Sequence, residues 1–422
     1  MPFSMRLFEP LRTRAILLLW GGMSLSAIGD QLYAVALSWI AVSVFGSAAG
    51  YLTALQALVV LLASLGIGRW ADRWDPQRSL IGSDIMRAGT LLLVVAAWLG
   101  AGGPEAAALV LAVVVLAAGQ AVFQPALQTV LPLLAGDARL LPATNGLMDA
   151  TDRTARLLGP GLVALLAGIV PVVHFLTLDA ISFLLSAAAL IAIRRAQKVA
   201  VLRRPASEGI WSGIARGARA MTAHPVLGFV LRTTALVNGA WYSAFFLALP
   251  LLIEQSGVQG PGGSGLGAYG LVISAYGCTN LIATLVLGGR ALPARPQFQM
   301  FGGTLLVGSG MVLMGLAALL PPAWVLPGLA ASAAFGAAGG PMKDIPVAVL
   351  RQTRLPASDM AAGMRAYMAA NSAGMLAAML LAPSLLHSFG TMPVIVASGV
   401  LLAVVGTAGM LVLARWTEMA TA

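Results

Sequence analysis

Charged and polar side chains set inside long apolar stretches are the residues here able to do chemistry. A charge in hydrocarbon costs roughly 2.5–3.5 kcal/mol by insertion scales and needs a partner, water or a task. Asp30 follows Arg14 by 16 residues, about 24 Å along a helix. That lies beyond the midplane toward the outer face, with no base near it in sequence. It either takes up a proton or recognises a cationic substrate, or it is hydrogen-bonded to helix ends or water in an outer vestibule. Asp149, Asp152, Arg153 and Arg156 form two i,i+4 pairs with the acid first, the favourable order on a helix. They read as a charged extension bridging loops, or as a device that turns Arg153 toward a cavity. Lys343-Asp344 follow Gly339-Gly340-Pro341, where a break unwinds the helix and exposes carbonyls. Neighbours on a helix point about 100° apart, so these two are not required to pair. A cavity role and a packing role both stand open.

Polar and aromatic residues in other apolar stretches are candidates for a cavity wall. They are Gln31 and Tyr33, Gln120 and Gln124, Asn145, then Asn238, Trp241 and Tyr242, Asn280, Tyr367 and Asn371. Each also suits a hydrogen bond between helices. His174, His224 and His387 are scattered and make no metal spacing. Neither a phosphate-cradling loop nor a paired-His metalloprotease motif occurs. The single cysteine, Cys278, excludes an intramolecular disulfide and a Cys-rich metal site. No cofactor, metal or enzyme activity is expected.

The elements that carry these residues follow from composition. Only 9% of the 422 residues are charged, against roughly 25% in a soluble domain. That is too little polar surface for water, so a polytopic membrane protein is expected. A crossing helix needs about 20 apolar residues. Twelve such runs are read, at about 15–44, 48–67, 80–101, 106–134, 143–170, 173–193, 226–253, 266–288, 299–320, 324–349, 361–387 and 392–414. The first is long and is followed by no small-residue cleavage site, so a cleavable signal is not expected. Short Gly- and Pro-bearing breaks make neighbouring helices antiparallel, and no ten-residue alternation of the barrel kind is present.

Basic residues precede the first run and fill the even-numbered loops and the tail. The odd-numbered connections hold no Lys or Arg. Basic loops stay in the cytoplasm, so both termini are expected inside. The net charge of +10 is thereby explained without nucleic acid. The long connection 195–225 falls near the middle. Leu141-Pro142-Ala143-Thr144 and Leu355-Pro356-Ala357-Ser358 open the fifth and eleventh runs half a chain apart. They read as a faint internal repeat or as routine helix starts.

Between the second and third runs lies Gly68-Arg69-Trp70-Ala71-Asp72-Arg73-Trp74-Asp75-Pro76-Gln77-Arg78. With Gly68, Ala71, Asp72 and Arg73 in matching positions, it resembles the loop signature G-x-L-A-D-R-x-G-R-R of the major facilitator superfamily. Asp75 stands where that family has Gly, Pro76 where it has a basic residue, and Arg78 supplies the charge. Five further stretches are similar to the branch holding macrolide-efflux proteins and the enterobactin exporter. These are Ser83-Asp84-Ile85-Met86-Arg87-Ala88, Phe123-Gln124-Pro125-Ala126, Leu178-Asp179-Ala180-Ile181-Ser182-Phe183, His224-Pro225-Val226-Leu227, and Gln352-Thr353 with Arg365. Gly159-Pro160-Gly161, with Gly146 and Ala155 upstream, resembles an exporter-associated motif in helix five, with Ala155 in place of a Gly. Ordinary small-residue packing is the other reading of it. The Arg that many drug/proton antiporters carry in helix four has no counterpart, since no charge lies between Glu105 and Asp137.

The resemblance implies an all-α membrane protein with twelve transmembrane helices in two pseudo-symmetric six-helix bundles. Residues 1–194 and 226–422 would be the bundles, and 195–225 a cytoplasmic linker with an amphipathic helix. It implies a monomeric secondary transporter of the inner membrane, binding a small-molecule substrate and protons within the lipid bilayer. Export by alternating access is expected, with Asp30 first for protonation, Asp149/Arg153 and Lys343/Asp344 second, and loop 68–78 as latch through Asp72. Arg365 is expected to make a cytoplasmic-side contact. An importer or lysophospholipid flippase is the rival within the class, and a sensor or membrane enzyme the rival outside it.

Overall fold

The computed structural model describes residues 9–66, 75–135, 141–196, 210–288 and 293–414. Among them every regular element is helical, as hydrocarbon demands of a chain that must satisfy its own backbone. The helices are α1 (Arg14–Phe45), α2 (Ala49–Gly66), α3 (Pro76–Ala101), α4 (Ala106–Ala135), α5 (Leu141–Leu166) and α6 (Val173–Ala196). They continue as α7 (Ile210–Thr222), α8 (Pro225–Tyr242), α9 (Leu249–Ser256), α10 (Gly265–Gly288), α11 (Pro296–Leu316), α12 (Pro322–Ala337), α13 (Gly339–Arg354), α14 (Ala357–Phe389) and α15 (Thr391–Val412). Ten described stretches are long and apolar enough to cross a bilayer. The first, Arg14–Leu62, holds both α1 and α2, and the charged α5 is not among the ten. With those two taken into account, the described helices match the twelve expected runs. Two of the breaks rest on left-handed glycines, Gly46 at φ 55° and Gly102 at φ 75°, a conformation costly for other residues. Gly102 caps α3, its N–H reaching the Trp98 carbonyl.

The chain divides into two compact units, Met1–Val44 with Leu55–Ala206, and Phe45–Ala54 with Ser207–Ala422. In the first, Ile16 and Leu19 of α1, Leu80 of α3, Phe123, Leu127 and Val130 of α4, and Leu190 and Ile193 of α6 make one apolar core. Trp20 donates its indole N–H to the Thr151 hydroxyl at 2.8 Å, tying α1 to α5.

In the second unit α11 is packed through glycines. Gly308 meets Gly399 of α15, Gly310 meets Gly336 of α12, and Gly303 meets Gly339 of α13. Small residues let backbones touch where lipid supplies no hydrophobic drive between helices. Amphipathic α7 turns Gly213, Gly217 and Met221 inward and leaves Trp211 and Arg219 exposed. A Cβ at Gly217 would run into the Ala362 carbonyl of α14, and Arg216 pairs with Asp359 at 3.4 Å. Between α8 and α9 the chain winds one π-helical stretch, Ser243–Ala248. Pro250 has no N–H to offer the Phe245 carbonyl five residues back. The buried Tyr269 hydroxyl donates to that carbonyl instead, at 3.1 Å.

Candidate functional site

The first unit encloses a charge cluster built on α3, α4, α6 and α1. Asp84 and Arg87 lie one turn apart on α3 and form an ion pair through Nη2 and Oδ1. Both are buried, Asp84 entirely. Arg87 Nη1 donates to Gln120 Oε1 on α4 at 2.9 Å. The guanidinium lies 4.1 Å from the Phe183 ring centroid and 4.9 Å from that of Phe123, a contact that attracts a cation to an aromatic face. Gly119 makes room for it, since a Cβ there would press on Arg87 Cγ at 2.8 Å. Ser83 donates to the Gly119 carbonyl at 2.7 Å. A buried charge persists where it is paired and hydrogen-bonded; Arg87 is so held through Nη1 and Nη2, while its buried Nε has no hydrogen-bond partner among the described residues.

Asp179 of α6 is also fully buried. The Ser182 hydroxyl donates to its main-chain carbonyl at 2.7 Å and lies 3.2 Å from its Oδ1. Asp179 and Ser182 pack on Gly29 of α1, where a Cβ would stand 2.6 Å from Asp179 Oδ1. Asp30 is the next residue. It lies 16 residues along the 32-residue α1. It is not isolated: Arg87, Asp84, Asp152 and Asp179 lie within electrostatic reach of it.

Asp84, Arg87 and Asp179 were not singled out from the sequence as site residues. The available signal was an acid–base pair three residues apart inside one apolar run and a lone acid inside another.

The other expectations divide. Gln120 belongs to the cluster as the Arg87 acceptor, while Gln124 is exposed. A Cβ at Gly159 would collide with the Gln31 side chain, so α5 sits on α1 there, with Pro160 buried beside it. The side chains of Asn145, Asp149 and Arg153 lie outside the described residues, as do Gly68, Asp72 and Arg73. Arg78 is largely exposed, with Nε 3.8 Å from Asp75 Oδ2. Asp75, which departs from the family pattern, caps α3 through the N–H groups of Gln77 and Arg78 at 2.9 and 3.2 Å. It also takes Arg194 Nη2 of α6 at 2.9 Å.

In the second unit one open question closes and one expectation needs correcting. Lys343 Nζ and Asp344 Oδ1 do pair, at 3.3 Å, because the long lysine stem spans the angle between neighbouring positions. The break before them is not an unwinding. Ala338 keeps right-handed helical angles, φ −62° and ψ −25°, and the carbonyl of Ala337 accepts from Asn280 Nδ2 at 3.1 Å. Asn238 spends its amide on Thr234 of its own helix. Trp241 sits among Tyr242, Phe245, Phe246 and Tyr276, with ring centroids 5.1–6.1 Å from its own. Arg351 lies over the Tyr367 ring at 5.4 Å. Asn371 Oδ1 is buried without a partner among the described residues. Arg365 rests against Gly213 of α7. Among the described residues no three His, Cys, Asp or Glu side chains group as a metal site.

The multidrug efflux pump Tap of Mycobacterium tuberculosis and of Mycobacterium bovis is 33% identical over 218 residues, 49% of this chain and 51% of that protein. The chain thus spans about half the length of the curated relatives it matches. Among solved structures, a peptide transporter POT aligns with TM-score 0.70 and 13% identity, covering 95% of this chain and 94% of that one. A bacterial homologue of the iron transporter ferroportin, in an inward-facing state, aligns with TM-score 0.70 and 14% identity, covering 94% and 98%. These two share the fold. The model of the Major Facilitator Superfamily matches residues 19–364. With that match, the apolar helices and the fold in agreement, this chain belongs to the Major Facilitator Superfamily, whose members are membrane transporters rather than enzymes.

Proposed function

We propose that the protein is a secondary exporter that uses inward proton flow to expel a small apolar or amphipathic molecule by alternating access. The observation carrying this reading is the cluster of Asp30, Asp84, Arg87 and Asp179 inside apolar helices. One ion pair would serve packing. Two further carboxylates accompany it, and ionisable groups in a membrane bundle mark proton or ion paths. Asp30 is the proton-carrying residue. The half-length similarity to an efflux pump supports the outward direction. Lys343–Asp344 and the rings around Trp241 take the substrate. The Asp344 side chain is 62% exposed within the apolar stretch Pro322–Arg351, and a carboxylate that open is far less costly against water or a ligand than against lipid. The arginine distribution supports both termini on the cytoplasmic side of a bacterial-type inner membrane; the protein works as a monomer, and loop 68–78 acts as the latch.

The test uses inverted membrane vesicles energised with a proton gradient and a fluorescent dye such as ethidium. Wild-type vesicles accumulate the dye, and Asp30→Asn vesicles with equal protein do not. Full accumulation by the variant, or uptake confined to right-side-out vesicles, overturns the reading.

A further inference from the structure

Resting on that placement of the substrate, we propose that Asp344 and the rings around Trp241 form a subsite for an amphipathic organic cation, and that Lys343 is its tethered stand-in, displaced from Asp344 when the ligand binds. Three observations meet here, all within the second unit. The first is how the ion pair is exposed. Lys343 Nζ lies 3.3 Å from Asp344 Oδ1, yet the lysine side chain is 18% exposed and the carboxylate 62%. Asp344 is the open member, and an ion pair with an open partner is weak and readily exchanged. The other acid in the apolar stretches of this unit is Glu254, in the last turn of α9. Asp344 instead lies two turns inside the end of its stretch, Pro322–Arg351.

The second is what stands beside the carboxylate. A Cβ at Gly340, one turn before Asp344 on α13, would lie 3.7 Å from the Tyr276 hydroxyl, and residues four apart are neighbours on a helix surface. The Tyr276 hydroxyl accepts a hydrogen bond from the Trp241 indole. Its ring centroid is 6.1 Å from that of Trp241 and 5.0 Å from that of Phe245. The carboxylate thus stands about one turn from an aromatic cluster in which Trp241 and Tyr276 are half-buried. The π-helical stretch Ser243–Ala248 turns both Phe245 and Phe246 back on Trp241, at 5.3 and 5.5 Å. Single π turns of this kind recur at functional sites.

The third is the sign of the charge. Ring faces attract cations, and the open member of the pair is the anion. Arg351, two turns further along α13, is engaged over the Tyr367 ring at 5.4 Å. An anionic ligand would have to reach the covered Lys343 past an open carboxylate. A ligand cation meets Asp344 directly, and the ammonium it displaces has the Tyr276 and Tyr367 hydroxyls within electrostatic reach. The exchange is non-covalent and leaves one positive charge against the carboxylate in both states. The apolar body of the ligand lies on the rings.

The test is equilibrium binding of radiolabelled tetraphenylphosphonium, and of its anionic isostere tetraphenylborate, to the purified full-length protein without a gradient. Wild type should bind the cation and not the anion. Asp344→Asn should weaken the cation by about tenfold or more, as loss of a charged partner does. Asp344→Glu should keep most of the binding, in a protein of unchanged elution profile. Lys343→Gln should tighten the cation several-fold, because nothing then competes for the carboxylate. The double variant should bind as weakly as Asp344→Asn alone. No binding of the cation by wild type, equal binding in Asp344→Asn, or weaker binding in Lys343→Gln overturns the subsite, as does tetraphenylborate binding that Lys343→Gln abolishes. Cation binding of the expected pattern in a protein that pumps dye normally as Asp30→Asn leaves the subsite standing and removes the proton mechanism instead.

Discussion

Asn280 of α10 donates its side-chain amide to the main-chain carbonyl of Ala337 at 3.1 Å, the carbonyl that Pro341 leaves without a helical donor. Proline at position i removes the N–H that residue i−4 would receive, so a polar side chain on a neighbouring helix makes the broken segment tolerable in hydrocarbon. Gly340 lets it in, since a Cβ there would stand 2.8 Å from Asn280 Nδ2. Asn280→Leu should lower stability by about 0.6–1.7 kcal/mol, the range for hydrogen bonds between membrane helices. A lower thermal midpoint in detergent is the measurement. An unchanged midpoint would mean that this amide supports nothing.

The same logic governs the π-helical stretch. Tyr269 donates to Phe245 because Pro250 cannot. Tyr269→Phe should cost about 1 kcal/mol. In a Pro250→Ala background, where an N–H returns, it should cost less. A double-mutant cycle on thermal midpoints measures the difference, and contacting residues typically couple by at least about 0.5 kcal/mol.

Composition and the placement of basic residues made the membrane class and the helix runs legible, because hydrophobic length and loop charge are properties of sequence alone. Which charges meet was not legible. Asp30 looked isolated because its partners sit some 50 and 150 residues away, on α3 and α6, and sequence spacing does not say which helix face meets which. The spacing of Lys343 and Asp344 leaves their pairing open, because a fixed angle per residue says nothing of the reach of a lysine stem. Asn280 appeared among candidates for a cavity wall, yet its amide serves a proline break four residues before Pro341. Polar residues in membrane helices serve the backbone as readily as a ligand, and only the contact tells them apart.

The Asp84–Arg87 pair should behave as a unit. Removing one partner leaves an uncompensated buried charge, a loss of about 3–5 kcal/mol. Arg87→Gln and Asp84→Asn should therefore each lower the thermal midpoint or the yield of folded protein sharply. The double variant should recover part of the loss, because it leaves no charge unpaired. Additive losses in the double variant would show that the two side chains act separately.

Helix α7 is fastened to α14 where Gly217 lies against the backbone of Ala362 and Gly363. A Cβ at Gly217 overlaps the Ala362 carbonyl, backbone that cannot yield as a flexible side chain would. Gly217→Leu should therefore lift α7 from α14 and expose Met221 and the Arg216–Asp359 pair. Ala215, on the exposed side of the same helix, provides the control: Ala215→Leu adds the same bulk without the collision. Trypsin should cut at Arg216 and Arg219 several-fold faster in Gly217→Leu than in Ala215→Leu, with the helical circular dichroism of the two proteins alike. Equal cleavage rates would mean that the Gly217 contact does not hold α7 in place.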